Sequence, residues 1–186
     1  MNSTENPHKS GFVSIIGRPN VGKSTLLMAL MGEKISIISP KAQTTRHRIM
    51  GIYSDEQYQI VFSDTPGVIE PKYPLHESMM DFVDQSLEDA DVVIIMVELG
   101  EKNIAEPIKL RLQNLKIPKL VLINKIDLGS QEEVMNKINF WINEFPDAIK
   151  VLPVSALNYF NTPEVLDIIK SLMPENPPYF DKEQLT

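Results

Sequence analysis

Gly17-Arg18-Pro19-Asn20-Val21-Gly22-Lys23-Ser24 is the stretch that decides how this chain is read. Its spacing is G-x-x-x-x-G-K-[ST]. It directly follows the apolar run Phe12-Val13-Ser14-Ile15-Ile16 and directly precedes a helical run carrying Leu26, Leu27 and Leu30. The glycines let the backbone curl so that successive N–H groups turn toward phosphate oxygens, and the helix behind them adds its N-terminal partial positive charge. Lys23 would neutralise the β- and γ-phosphates and the Ser24 hydroxyl would ligate Mg²⁺. Gly17, Arg18, Pro19, Asn20, Val21, Gly22 and Thr25 complete the expected phosphate-binding set. The plainer alternative, a glycine turn before an ordinary helix, is disfavoured by the strand and helix on either side.

Three shorter motifs lie further along. Asp64-Thr65-Pro66-Gly67 follows the apolar run Ile60-Val61-Phe62. Alone it reads equally as a turn, but beside a phosphate loop the carboxylate can reach Mg²⁺ through a water, and the Gly67 N–H can meet a γ-phosphate. The loop after it would then order only when that phosphate is present. Asn124-Lys125-Ile126-Asp127 follows Leu120-Val121-Leu122-Ile123. Asp127 could simply cap a helix; read functionally, it accepts hydrogen bonds from the ring N–H and exocyclic amine of guanine. Adenine offers an acceptor and a C–H at those places and would leave the carboxylate unpaired, so GTP is expected over ATP. Val154-Ser155-Ala156 closes the last strand, and its position suggests a backbone N–H for the guanine oxygen; an ordinary strand end is the alternative.

The fold follows from the alternation of patterns around these motifs. Apolar runs rich in Ile and Val at 12–17, 48–54, 58–64, 91–98, 118–124 and 149–154 predict six strands. Helical spacing appears in Met79, Phe82, Val83 and Leu87, then in Val134, Ile138, Trp141 and Phe145, then in Val165, Ile169 and Leu172. Thr162 as N-cap with Pro163 at the first helical position would start the last helix. Runs 48–54 and 58–64 are separated by only Asp55-Glu56-Gln57, too short for a crossover, so they pair antiparallel. The expectation is an α/β, P-loop NTPase fold: a mostly parallel six-stranded sheet with one antiparallel edge strand and helices on both faces. All four motifs then fall beyond the carboxyl ends of strands, where open α/β sheets bind ligands. Segments 34–47 and 65–76 resist regular structure and read as functional loops.

Composition narrows the function classes. Leu, Ile, Val and Phe make up 58 of 186 residues, enough for a substantial core without staples. With no cysteine, a disulfide framework, a thiolate zinc site and a cysteine nucleophile are excluded. His8, His47 and His76 are scattered without metal-ligand spacing. The longest apolar run, six residues at 92–97, is far short of the ~20 that a membrane-spanning helix needs. A net charge of −7 opposes whole-surface binding of nucleic acid. Residues 1–10 are polar and read as a flexible tail, 11–173 as one nucleotide-binding domain, and 174–186, with Pro174, Pro177 and Pro178, as a linker. Lys34, Lys41, Arg46, His47 and Arg48 read as a solvated basic loop, whereas Thr44 or Thr45 within it could complete a Mg²⁺ shell.

With 17–24, 64–67 and 124–127 in this order, the chain resembles the translation-factor-like GTPases. Lys41-Ala42-Gln43-Thr44-Thr45-Arg46-His47-Arg48 and the tail Pro177-Pro178-Tyr179-Phe180 with Lys182-Glu183-Gln184-Leu185 are similar to the Era family. That resemblance implies a GTPase that binds small-subunit ribosomal RNA and assists assembly of the small ribosomal subunit. Its main RNA grip would be a KH domain that 174–186 leads toward. It implies a bacterial cytoplasmic location, with peripheral association at the inner membrane. It makes Thr45 the Mg²⁺-facing threonine, Thr44 the alternative, and Ser24, Thr45 and Asp64 the metal set. It also gives Lys23, Thr45, Asp64, Gly67 and Asn20 catalytic roles, with Asn20 similar to an asparagine that helps hold K⁺. Where many GTPases carry a water-orienting glutamine after the Asp-x-x-Gly motif, this chain has Val68, so slow turnover is expected. Three functions follow in order: a GTP-hydrolysing switch, a nucleotide-gated binding module with negligible turnover, and a P-loop kinase or ATPase.

Overall fold

Along β5 (Val92–Glu98) every residue but the last is buried, and alternate side chains enter different cores. Val92, Ile94 and Met96 join one apolar cluster while Val93, Ile95 and Val97 join another. A strand that is apolar on both faces has to lie in the middle of a sheet covered on both sides. The computed structural model describes residues 7–32, 35–36, 48–64 and 77–181, and it has that layered architecture.

The strands are β1 (Lys9–Ile16), β2 (Ile35–Ser36), β3 (Arg48–Ser54), β4 (Tyr58–Asp64), β5, β6 (Lys119–Asn124) and β7 (Lys150–Pro153). They form one sheet in the order β2-β3-β4-β1-β5-β6-β7. β4, β1, β5, β6 and β7 are mutually parallel, and β3 runs against β4. All six expected strands are present. A seventh, β2, lies inside the stretch 34–47, which reads from sequence as a loop; it pairs Ile35 with Tyr53 and Ser36 with Ile52, so the antiparallel β3 is not the edge of the sheet.

Helices α1 (Lys23–Met31) and α5 (Thr162–Leu172) cover one face through Leu26, Leu27, Leu30, Val165 and Ile169. Helices α2 (Glu77–Glu88), α3 (Glu106–Asn114) and α4 (Gln131–Glu144) cover the other through Leu87, Ile108, Leu112 and Trp141. Each fully buried aliphatic side chain of this kind contributes about 1.5–3 kcal/mol. Among the described residues no helix is long and apolar enough to cross a membrane.

Three expectations need correction. Thr162 is not the cap of α5 but its first residue, buried; the cap position is Asn161, left-handed at φ 61°, whose side-chain amide donates to the Pro153 carbonyl at 2.8 Å. Lys9 and Ser10, read with the amino-terminal tail, are paired in β1, opposite Tyr58 and Gln59. Residues 174–181, read as a linker, are strapped across the amino ends of β1 and β4. Ser10 N–H donates to Pro174 O at 3.1 Å, and Lys9 bridges Glu175. Gln59, 1% exposed, accepts from the N–H groups of Tyr179 and Phe180 at 2.7 and 3.0 Å and donates to Phe180 O at 2.8 Å.

Candidate nucleotide-binding site

β1 is flanked by β4 on one side and β5 on the other, so a crevice opens beyond its carboxyl end. The loop 17–22 fills the turn from β1 into α1. Gly17 sits so close to β5 that a Cβ there would lie 2.8 Å from the Met96 carbonyl oxygen. Gly22 has φ +108°, and a Cβ on it would lie 2.3 Å from Asn124 Nδ2. Both glycines are therefore required by close approach, and Gly22 by its backbone as well. α1 begins at Lys23 with no side-chain cap and no acidic residue in its first turn. Its first N–H groups are thus left for an anion.

Lys23 Nζ donates to Gly17 O at 2.8 Å and pairs with Asp64 Oδ1 at 3.1 Å. That carboxylate oxygen is buried and accepts no hydrogen bond among the described residues, so charge alone holds it. An acceptor in that condition suits a hard cation or a water bound to one. Asp64 stands at the end of β4, level with Ile15 of β1, so two adjacent strands deliver the phosphate loop and the carboxylate to one place.

The base side is built by β6 and the turn after β7. Asn124 is 3% exposed and acts as a rivet: its amide donates to Val21 O at 2.9 Å, and its Oδ1 accepts from Ala156 N at 3.0 Å. It thereby ties the phosphate loop to the 155–156 turn. Lys125, left-handed at φ 64°, donates to Asn20 O at 2.8 Å; Asn20 is itself left-handed at φ 65°. Ser155 Oγ donates to Asp127 Oδ1 at 3.0 Å and orients that carboxylate. A cavity of about 330 Å³ is lined by Asn20, Gly22 and Thr25 from the phosphate side and by Asn124, Lys125, Asp127 and Ser155 from the base side.

The described motifs thus converge, with Ser24 and Thr25 exposed in the first turn of α1, but the backbone N–H groups expected to serve a guanine oxygen are engaged within the protein, Ser155 N–H donating to Phe160 O at 3.2 Å and Ala156 N–H to Asn124 Oδ1 at 3.0 Å. Thr44, Thr45, Thr65, Pro66, Gly67 and Val68 lie outside the described residues. Two lining residues were not anticipated. Leu128 and Leu157, 76% and 72% exposed, stand one position beyond the 124–127 and 154–156 motifs. Apolar side chains so exposed at a cavity mouth are suited to cover the faces of a flat ring. Arg18, counted with the phosphate set, turns away from the cavity toward Glu101 Oε2 at 3.5 Å and Asn103 O at 3.2 Å.

A family model described as 50S ribosome-binding GTPase matches residues 12–125. Among solved structures, a point variant of Aquifex aeolicus Era bound to GDP·AlF₄⁻ shares 41% identity at a TM-score of 0.73, over 96% of this chain and 62% of that one. Era in complex with MgGDPNP and nucleotides 1506–1542 of 16S ribosomal RNA shares 41% identity at a TM-score of 0.72, over 95% of this chain and 61% of that one. The chain spans about three fifths of the length of these two Era chains. Elongation factor SelB from Methanococcus maripaludis, with a GTP analogue, shares the fold at 22% identity and a TM-score of 0.63, over 89% of this chain and 34% of that one. With the glycine-rich loop, the β4 carboxylate and Asp127 gathered at one edge of this sheet, the chain belongs to the 50S ribosome-binding GTPase family, as a G domain of Era type.

Proposed function

We propose that this chain is a GTP-hydrolysing switch serving assembly of the small ribosomal subunit. The observation that carries the reading is the single cavity reaching from Gly22 to Asp127, with Asp127 oriented by Ser155. Lys23 and the first N–H groups of α1 hold the phosphates, while Asp127, Leu128 and Leu157 select and cover the guanine. Ser24, Asp64 and Thr45, or Thr44 in its place, would hold Mg²⁺, which when bound supplies charge neutralisation at the phosphate oxygens. The buried Oδ1 of Asp64, which is ion-paired with Lys23 but accepts no hydrogen bond among the described residues, supports that assignment. Gly67 would offer its N–H to the γ-phosphate, and Asn20 would help hold a K⁺ ion.

We assign the GTP-binding domain to residues 9–181, from the start of β1 through the strap on Gln59, and the residues from 182 onward to a connection toward a KH domain. The small-subunit rRNA is the proposed partner because one Era relative was solved with a fragment of it. A chain of net charge −7 is ill suited to grip RNA over its whole surface, which favours placing the main contact in that further domain. We place its action in the cytoplasm, with peripheral membrane association as a further possibility to test by fractionation.

The test is multiple-turnover phosphate release from GTP with Mg²⁺ held constant, in K⁺ and in Na⁺ salts. Slow release that is faster in K⁺ is expected; equal rates in the two salts would remove the K⁺ role. Val68 favours one second reading, a nucleotide-gated binding module. Tight GTP binding without any phosphate release would select it.

A further inference from the structure

The segment 98–103 that follows β5 supplies no lining residue of the cavity, yet it grips both of the loops that make it. Glu98 Oε2 pairs with Lys125 Nζ at 2.8 Å, and the same ammonium donates to Asn20 O. Glu101 Oε2 pairs with Arg18 Nε at 3.5 Å, and the Arg18 guanidinium also donates to the carbonyl of Asn103 at 3.2 Å. The segment is itself held from two sides and by a turn of its own. Leu99 N–H donates to Asn124 O at 3.1 Å, Glu101 N–H closes a turn on Glu98 O at 2.9 Å, and Lys137 of α4 donates to Glu101 O at 2.8 Å. Glu98 N–H donates to Glu101 Oε1 at 3.2 Å, so the two acids are also linked to each other.

The Glu101 side chain is 2% exposed. A carboxylate taken so far out of water must be matched by a cation and hydrogen bonds, or it costs several kcal/mol. Burial, acting first, raises its pKa; the Glu98 N–H and the charges of Arg18 and Lys137 act in the other direction. Arg18 is thus recruited by the segment rather than left free over the phosphates.

We propose that residues 98–103 are a shared bracket for the nucleotide site, in which Glu101 positions the phosphate loop through Arg18 and Glu98 positions the base-reading loop through Lys125. Both acids are positioning residues; neither lines the cavity. The proposal rests on reading the cavity as a guanine-nucleotide site. Its distinctive consequence is coupling. Because Arg18 and Glu98 act through one segment, loosening either end loosens the whole, and a second cut then removes less than it would alone.

The experiment is a double-mutant cycle on affinity for a fluorescent methylanthraniloyl-GDP with Mg²⁺. It compares the unaltered chain with Arg18→Ala, Glu98→Gln and the double variant; Arg18→Lys and Glu101→Gln serve as controls. Arg18 and Glu98 are both partly exposed, 39% and 37%, so their replacement leaves the core intact. Each single variant is expected to weaken binding about five- to tenfold. The double variant is expected to fall short of the product by about threefold or more. Arg18→Lys should regain most of the loss, and Glu101→Gln should resemble Arg18→Ala. Melting midpoints of the nucleotide-free variants should stay within about 3 °C of the unaltered chain. Losses that multiply, singles that lose nothing, or losses that follow a fallen melting midpoint would each overturn the bracket while the nucleotide site stands. An unaltered chain that binds no GDP would instead overturn the site reading, and the bracket with it.

Discussion

Asp127 presents one carboxylate oxygen to Ser155 Oγ at 3.0 Å, which leaves its other oxygen and remaining lone pairs for a ligand. Asp127 is exposed at the cavity, and it discriminates once a seated base covers it, because a base that fails to donate then leaves the carboxylate unpaired. Asp127→Asn is therefore expected to weaken GDP binding by about 100-fold or more and to favour xanthosine diphosphate, whose added oxygen accepts where guanine donates. Competition of the two nucleotides against a labelled probe checks this, and an unchanged preference for GDP would refute the role of Asp127. The site was legible in the sequence wherever its residues are contiguous, as in 17–24 and 124–127, since one motif then carries both the chemistry and its flanking strand. Leu128 and Leu157 were missed because a leucine beyond a motif looks like core until its exposure is known. Arg18 and its anchor at Asn103 stand 85 positions apart, and no local pattern joins them.

Among the elements, strands were the most legible. A strand buried on both faces reads as a short unbroken apolar run, as 92–97 and 120–123 do. Helix α3 carries its signal in Ile108 and Leu112, both fully buried, but Leu110 between them is exposed and the pattern is too short to stand out. The strap 174–181 had no periodic signal at all, because its attachment is a side-chain amide reading a backbone. That attachment makes a prediction. Gln59→Ala would strand the Tyr179 and Phe180 N–H groups and destabilise the chain by about 2–3 kcal/mol, measured by urea denaturation. Hydrogen exchange at residues 175–181 should rise with it, and unchanged protection there would contradict the clamp. A second prediction concerns the start of β6, where the Lys119 side chain, 1% exposed, donates to Asp147 Oδ2 at 2.5 Å and Gln113 O at 3.1 Å. The hydrogen bond from Lys119 holds the Asp147 carboxyl below its usual value of 3.8. Stability from this pair is present above that value and is lost as pH falls through the lowered one. Asp147 is itself half exposed, so Asp147→Asn should cost only about 1–2 kcal/mol at neutral pH. The difference between the two proteins should shrink as pH drops below 3.8, and a constant difference would contradict the pairing.

At the scale of the molecule, what matters is that strand order brings distant motifs to one rim. β1 lies between β4 and β5, and β6 lies beyond β5, so Lys23, Asp64 and Asn124 leave neighbouring strands on the same side. Asn124 then pins Val21 to Ala156 and fixes the distance from phosphate loop to base pocket. The order of motifs along the chain announces this arrangement; the pinning joins residues 103 and 32 positions apart, and no local pattern carries it. The most direct test is calorimetric titration of the whole 186-residue chain with GDP, GTP and ATP in Mg²⁺. The account predicts one site per chain that takes GDP and GTP in the micromolar range or tighter, with ATP about 1,000-fold weaker or undetected. Equal affinity for ATP and GTP, or no binding of either guanine nucleotide, would contradict it.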